Sequence, residues 1–260
     1  MFSLDNNLAL AKKAALEAGR VAMSYFQTST YEIKDKSFNN PVTTADHKAN
    51  NIIKDFLFQR HLGCGWVSEE TVDSEDRLSK DYVWVVDPID GTKEFIEGIP
   101  QFSISIALVY LGNPIIGVIY NPSTDELFSA SKGMGSFYND KKVKCIEANK
   151  ELIALVSRSE MKRGLWDNYK KNFKELRPIG SVAYKIGLIG AGKADIFATL
   201  RPKNEWDICA GHCIINESGG VLLDLYGKSI KYNQKNTLIQ QGLIAGSKNK
   251  ADSVLKIINI

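Results

Sequence analysis

The stretch VWVVDPIDGTKEF, Val83 to Phe95, constrains this chain more than any other. Its almost wholly apolar first half reads as a strand that stops at Asp87, with a second aspartate at Asp90. A carboxylate placed where an apolar strand ends leaves the core and emerges at the edge of a sheet. Pro88 fixes one backbone angle and carries no N–H, and Gly91 permits geometry closed to other residues. Such a turn can aim the Asp87 carboxylate, the Ile89 carbonyl and the Asp90 carboxylate at one point. Converging hard oxygens suit Mg²⁺, which takes few protein ligands and keeps its waters. Thr92 adds a hydroxyl able to orient one such water.

The rest of the chain supports a folded globular body around that turn. Its 260 residues allow one large domain or two small ones, and 44% hydrophobic residues are enough for a substantial core. A net charge of +3 is too mild to argue for a nucleic-acid polymer or a membrane surface. No segment approaches the roughly 18 apolar residues of a spanning helix. The first residues are broken by charges throughout, which excludes a signal peptide; Leu8, Ala11, Ala15, Ala18, Ala22 and Tyr25 instead mark an amphipathic helix. Cysteines at 64, 145, 209 and 213 form no staple-like pattern, so a reduced, cytoplasmic setting is expected. The basic window Arg158 to Arg177 fits either a solvated helix face or anion steering.

After the first helix comes a polar turn region, Ser29 to Pro41. A second helix follows, capped at Thr43 or Thr44, with Ala49, Ile52, Ile53, Phe56 and Leu57 as its stripe. Strands are expected at Gly65–Ser68, at Tyr82–Asp87, in the alternating run Phe102–Tyr110, and twice about the turn at Pro122–Asp125. That half reads as two helices over an antiparallel sheet. The second half alternates: a strand to Ser157, a mostly helical Ser181–Ala194, a strand at Ala194–Ala198, a helix from Glu205 ended by glycines, a strand at Val221–Leu225, and a closing helix. A boundary near residue 150 divides lobe 1–150, with Asp87 and Asp90, from lobe 151–260. The polar run Glu147–Glu151 joins them as one packed unit.

Two more acidic segments fit the Asp87–Asp90 plan. Trp66–Glu70 ends a short strand with Glu69 and Glu70, and Glu205–Gly211 puts Asp207 in the first turn of a helix, where backbone N–H groups also favour phosphate. Each has an ordinary reading alone: turn chemistry at Asp87-Pro88, a helix-start charge at Asp207, a solvated loop at Glu69. Carboxylates from three separated segments are what a two-metal hydrolytic site needs. DPIDGT, SEE and EWDICAG also resemble, in order and separation, the three signatures of the inositol monophosphatase superfamily, and the similarity spans nearly the whole chain. The resemblance implies a layered α-β-α-β-α sandwich of α/β (α+β) class, shared with fructose-1,6-bisphosphatase. It implies a lithium-sensitive phosphomonoesterase using two or three Mg²⁺ ions. Glu69, Asp87, the Ile89 carbonyl, Asp90 and Asp207 are its implied metal ligands. Thr92, assisted by Asp46 and Glu69, would position the attacking water, with the Gly91 and Thr92 N–H groups facing the phosphate.

Within that superfamily, DGTKEFI is similar to the CysQ-like 3′(2′),5′-bisphosphate nucleotidase branch, which takes adenosine 3′,5′-bisphosphate to AMP and phosphate. VSRSE and GSVAYK agree with that branch, and the acidic residue that inositol enzymes use on a ring hydroxyl is missing, with Ala198 and Thr199 in its region. Val182 and Glu160 depart from the branch, which commonly has serine and histidine there. A substrate with two phosphates needs cations beyond the metals, for which Lys93, Arg158 and Lys185 are candidates, with Ser181 beside them. The alternatives are an inositol-1-phosphatase, a small sugar or histidinol phosphate phosphatase, and, in another class, a non-catalytic regulatory relative. Other motifs carry less. Pro88 stands where a haloacid dehalogenase needs its nucleophile, and Ala194 removes the metal-binding hydroxyl from the P-loop-like GLIGAGKA. Cys209, His212 and Cys213 read as buried core, and GMGSFYND as a hairpin. No self-complementary patch gives an oligomeric state.

Overall fold

A computed structural model of the chain describes residues 3–28, 30–37, 40–58, 63–146 and 152–258. The first half runs α1 (Leu4–Tyr25), β1 (Ile33–Ser37), β2 (Asn40–Thr43), α2 (Thr44–Phe58), β3 (Gly65–Ser68), β4 (Tyr82–Asp90) and α3 (Thr92–Ile96). It continues through β5 (Ser103–Tyr110), β6 (Asn113–Asn121), β7 (Glu126–Ser131), β8 (Gly135–Tyr138) and β9 (Lys141–Val143). The second half begins with β10 (Ile153–Ser157), α4 (Arg158–Lys162), β11 (Glu175–Ile179), α5 (Val182–Gly190), β12 (Ile196–Thr199) and β13 (Lys203–Asn204). It ends with α6 (Glu205–Glu217), β14 (Val221–Asp224), β15 (Leu238–Ile239), β16 (Leu243–Gly246) and α7 (Lys248–Ile258).

Strands β3 to β9 lie side by side in sequence order as a seven-stranded sheet, antiparallel except for the β3–β4 pair. A five-stranded sheet has the order β11-β10-β12-β16-β14. The two-residue period of β4 sorts its apolar side chains between two cores. Trp84 and Val86 meet Ala11, Ala15, Ala18, Ala49 and Ile53 of α1 and α2. Val83 and Val85 face the opposite way, toward Ile186 of α5 and Ile208 of α6, and that core continues to Phe197 and Ala245 of the smaller sheet. Beyond that sheet, Ala251, Val254 and Ile258 of α7 cover Val156, Ile196 and Ile244. The layers are therefore α1/α2, the larger sheet, α5/α6, the smaller sheet and α7, an α-β-α-β-α sandwich. The middle core draws on both halves of the chain.

One close approach fixes the central layer. A Cβ on Gly117 of β6 would lie 2.2 Å from the carbonyl oxygen of Ala210, so α6 rests on the sheet only because that side chain is missing. The N-terminus of α6 is thereby held over the end of β4.

Several expectations need correction. Ser29 to Pro41 is not only a polar turn, since β1 and β2 pair antiparallel across part of it. The strand ending at Asp87 runs on to Asp90, and the next segment forms the short helix α3. Helix α4 and strand β11 follow Ser157 in a stretch assigned no element from sequence. The boundary near 150 and the connection Glu147–Glu151 fall on residues 147–151, outside the described residues. As expected, GLIGAGKA closes α5 and runs just beyond it, and GMGSFYND is hairpin, covering part of the β7–β8 turn, β8 itself and the turn before β9. Among the described residues, no helix is long and apolar enough to cross a membrane.

Candidate active site

Residues three apart on a regular strand point to opposite faces. On β4 they do not, because Asp87 pairs opposite Ser105 and Asp90 opposite Ser103, which inserts one extra residue into β4. This bulge brings the two carboxylates to one side. Asp87 Oδ1 accepts the Ile89 N–H at 3.1 Å, closing the turn around Pro88. The third carboxylate arrives with α6, whose capping box sets Asp207: its Oδ2 accepts the Asn204 N–H at 2.8 Å. Ser105 Oγ donates to the Trp206 carbonyl at 3.2 Å, tying the start of α6 to β5. Ligand oxygens of Asp87, Asp90 and Asp207 all lie within 4.8 Å of one another.

Three carboxylates so close in a buried place resist ionising. Burial, then Glu69, Asp90 and Asp207, raises the Asp87 carboxyl well above its usual range. Asp207 is pushed up to about 8 by burial, followed by the charges of Asp90 and Glu69. Asp90 is raised by burial too, although Ser181, Lys185 and the Ala183 N–H pull it down. A hard cation relieves all three at once, and an all-oxygen donor set fits Mg²⁺.

The cluster forms the floor of a cavity of about 510 Å³, lined also by Glu69, Ile89, Gly91, Thr92, Lys93, Glu94, Arg201 and Asn204. Gly91 adopts φ +98°, and a Cβ there would sit 3.0 Å from the Gln101 carbonyl, so only glycine lets Thr92 begin α3 at this point. Thr92 Oγ1 lies 3.2 Å from Asp46 Oδ1 and 3.1 Å from the Ile89 carbonyl. Asp46 is itself fixed by the Thr43 N–H at 2.8 Å and the Thr43 hydroxyl at 2.6 Å. Its carboxyl is pushed up to about 7, burial outweighing those bonds.

The structure thus brings Glu69, Asp87, Ile89, Asp90, Gly91, Thr92, Lys93 and Asp207 to one cavity, with Asp46 behind Thr92. It does not bring Ser181, Lys185 or Arg158 to the lining. Lys185 is 2% exposed, and its Nζ donates to the carbonyls of Ile179 at 2.9 Å and Ser181 at 2.6 Å. Ser181 Oγ donates to Asp90 Oδ2 at 2.6 Å, so its proton is already used. Arg158 bridges Glu94 at 2.8 Å and Glu97 at 3.1 Å on the other half of the chain. Buried Glu160, where the nucleotidase pattern has histidine, accepts from Trp166, Thr199 and Leu200. Each of these charges is spent on the protein itself.

Arg201 was missed. It is exposed at the mouth of the cavity with no side-chain partner among the described residues, just before the segment that carries Asp207. A cation in the loop leading into an acidic signature is the signal that would have found it. Cys209, His212 and Cys213 are buried, with His212 Nδ1 2.8 Å from the Tyr232 hydroxyl.

The chain matches the model of the inositol monophosphatase family over residues 3–259. It is 31% identical over 265 residues to the fructose-1,6-bisphosphatase/inositol-1-monophosphatase of Thermotoga maritima, covering 100% of this chain and 96% of that one. Among solved structures, a Thermotoga maritima IMPase superposes with a TM-score of 0.85 at 29% identity, over 98% of this chain and 97% of that one. CysQ from Bacteroides thetaiotaomicron superposes with a TM-score of 0.79 at 30% identity, over 94% and 97%.

Proposed function

The chain belongs to the inositol monophosphatase family, whose members are phosphatases, and on that premise we propose that it is a Mg²⁺-dependent phosphomonoesterase acting on a small substrate with a second anionic group, a 3′(2′),5′-bisphosphate nucleotide first. The observation that carries the metal is the mutual approach of Asp87, Asp90 and Asp207 within 4.8 Å. Glu69 and the Ile89 carbonyl complete the ligand set. Bound there, Mg²⁺ would supply Lewis acidity to a water and to the phosphoryl oxygens. The Thr92 hydroxyl, donating toward Asp46, keeps its lone pairs for the attacking water and fixes its line of approach. The Gly91 and Thr92 N–H groups, at the start of α3, have no carbonyl in a preceding turn and are available to phosphate oxygens.

Lys93 and Arg201, not Lys185 and Arg158, are the cations we assign to the second anion. Both line the cavity, and neither side chain has an ion-pair partner among the described residues. On the other side of the comparison, Ala198 and Thr199 are buried in β12 and carry no carboxylate, and the Glu160 carboxylate beside Thr199 is itself buried and not offered to a ring hydroxyl. The Thermotoga maritima relative, named for a bisphosphatase and an inositol-1-monophosphatase, favours inositol phosphate as the second reading. The four thiols, unpaired, support a reducing, cytoplasmic setting.

Phosphate release from adenosine 3′,5′-bisphosphate and inositol-1-phosphate, with Mg²⁺ or EDTA, tests this. Mg²⁺-dependent preference for the nucleotide is expected. Preference for inositol phosphate would keep the metal site and overturn the substrate; no release from either would point to another phosphoester or to a regulatory relative.

A further inference from the structure

Glu69 and Asp207 sit on elements that do not pair with each other. Glu69 follows β3, which lies at the edge of the larger sheet and is held by β4 on one side only. Asp207 belongs to α6, in the layer behind. Their separation is therefore not set by a strand ladder.

A chain of hydrogen bonds centred on buried Arg77 and Glu205 spans the gap. Asp73, in the loop that leaves Glu69 and Glu70, receives Arg77 Nε at 2.6 Å and Nη2 at 2.7 Å. Arg77 is 2% exposed, and its Nη1 donates to Asn233 Oδ1 at 2.7 Å and its Nη2 to the Gln234 carbonyl at 3.1 Å. Asn233 returns a bond from Nδ2 to the Arg77 carbonyl at 3.0 Å. The N–H groups of Asn233 and Gln234 then donate, at 2.7 and 2.8 Å, to the two oxygens of Glu205, the first residue of α6 and 1% exposed. At its other end the Glu69 loop is tied down by Thr71, whose Oγ1 accepts from Asn50 and Trp66, both at 3.2 Å.

We infer that Asp73, Arg77, Asn233 and Glu205 form a clamp that sets the spacing between Glu69 and Asp207, and so the fit of the site to Mg²⁺. It rests on the assignment of those two carboxylates to the metal. The clamp residues lie outside the cavity lining; they are positioning residues. Mg²⁺ demands near-ideal octahedral geometry with short bonds, whereas Ca²⁺ accepts longer bonds and variable coordination. A loosened clamp therefore penalises the smaller ion, while a general loss of stability does not choose between them.

The test is calorimetric titration of the intact protein with Mg²⁺ and, separately, Ca²⁺, without substrate. Asp73→Asn and Glu205→Gln each remove an acceptor from the clamp. Lys250→Met, which breaks the buried Lys250–Asp195 pair beyond the smaller sheet, is the control for stability alone. Both clamp variants are expected to lose about tenfold in Mg²⁺ affinity, the scale of outer-shell substitutions at metal sites, with a much smaller change for Ca²⁺ and neither ion affected in the control. Wild-type Mg²⁺ affinity in either folded clamp variant, or equal losses for both ions, overturns the clamp. Should Glu205→Gln not fold, Asp73→Asn decides, because its side chain is 40% exposed and its loss is tolerable. A wild-type protein that binds neither ion would instead overturn the metal assignment beneath it.

Discussion

At the scale of single residues, burial separates groups that act on a substrate from groups that hold those groups. Thr92 lies within reach of Asp46 at the cavity, so Thr92→Val should keep the fold and lower kcat by about a hundredfold or more, a usual size for a positioned proton-handling group, with little change in KM. Steady-state kinetics at saturating Mg²⁺ checks it, and near-normal turnover would remove Thr92 from the mechanism. Lys185 behaves differently. Its ammonium is held by two carbonyls beside Asp90 and is lowered to about 8, chiefly by burial. Lys185→Met should therefore depress turnover of monophosphate and bisphosphate substrates alike, while Arg201→Ala should raise KM for the bisphosphate selectively. Measuring both substrates with both variants tells the two roles apart. From sequence, a lysine in GSVAYK looks as available as one in TKEF; only burial distinguishes them.

Elements act here by how closely they can approach. Helix α6 lies against β6 at Gly117, and a methyl group there would collide with a backbone carbonyl that cannot rotate away. Gly117→Ala should cost about 1–3 kcal/mol in denaturant unfolding, typical of overpacking, and should weaken Mg²⁺ binding as well, because Asp207 rides on the displaced helix. Weakened folding with unchanged metal binding would show that α6 can tilt without moving its N-terminus. The bulge in β4 is a comparable device: one extra residue turns two aspartates on opposite faces into neighbours. The proline and glycine around it advertised a special turn, but the pairing partners that make it a bulge come from β5, which the local sequence does not name.

For the whole molecule, the buried carboxylates of the site oppose stability whenever they carry charge. Asp207 is raised from an ordinary value of 3.8 to about 8 and Asp46 to about 7, so between these values the folded protein binds more protons than the unfolded chain. Stability then falls as pH rises through that range. His212, lowered to about 4, works in the opposite direction only below its ordinary 6.5, and Lys185 only above about 8. Between pH 6.5 and 8 the metal-free protein should therefore lose Tm with rising pH, and Mg²⁺ should restore it most at the upper end; thermal denaturation with EDTA or Mg²⁺ measures both, and a flat or rising metal-free profile would contradict it. Much of this was legible in the order of residues. Apolar periodicity gave the main helices and strands, and the acidic segments gave the carboxylates that converge at the cavity, because both depend on what lies nearby along the chain. What the chain order left open was which charges remain for a substrate. Arg158 and Ser181 are consumed by partners far away in sequence, and Lys185 by nearby carbonyls once packing buries it, whereas Arg201 is left at the cavity mouth. Only the packing of five layers decides that, since a charge is free or spent according to what folding places beside it.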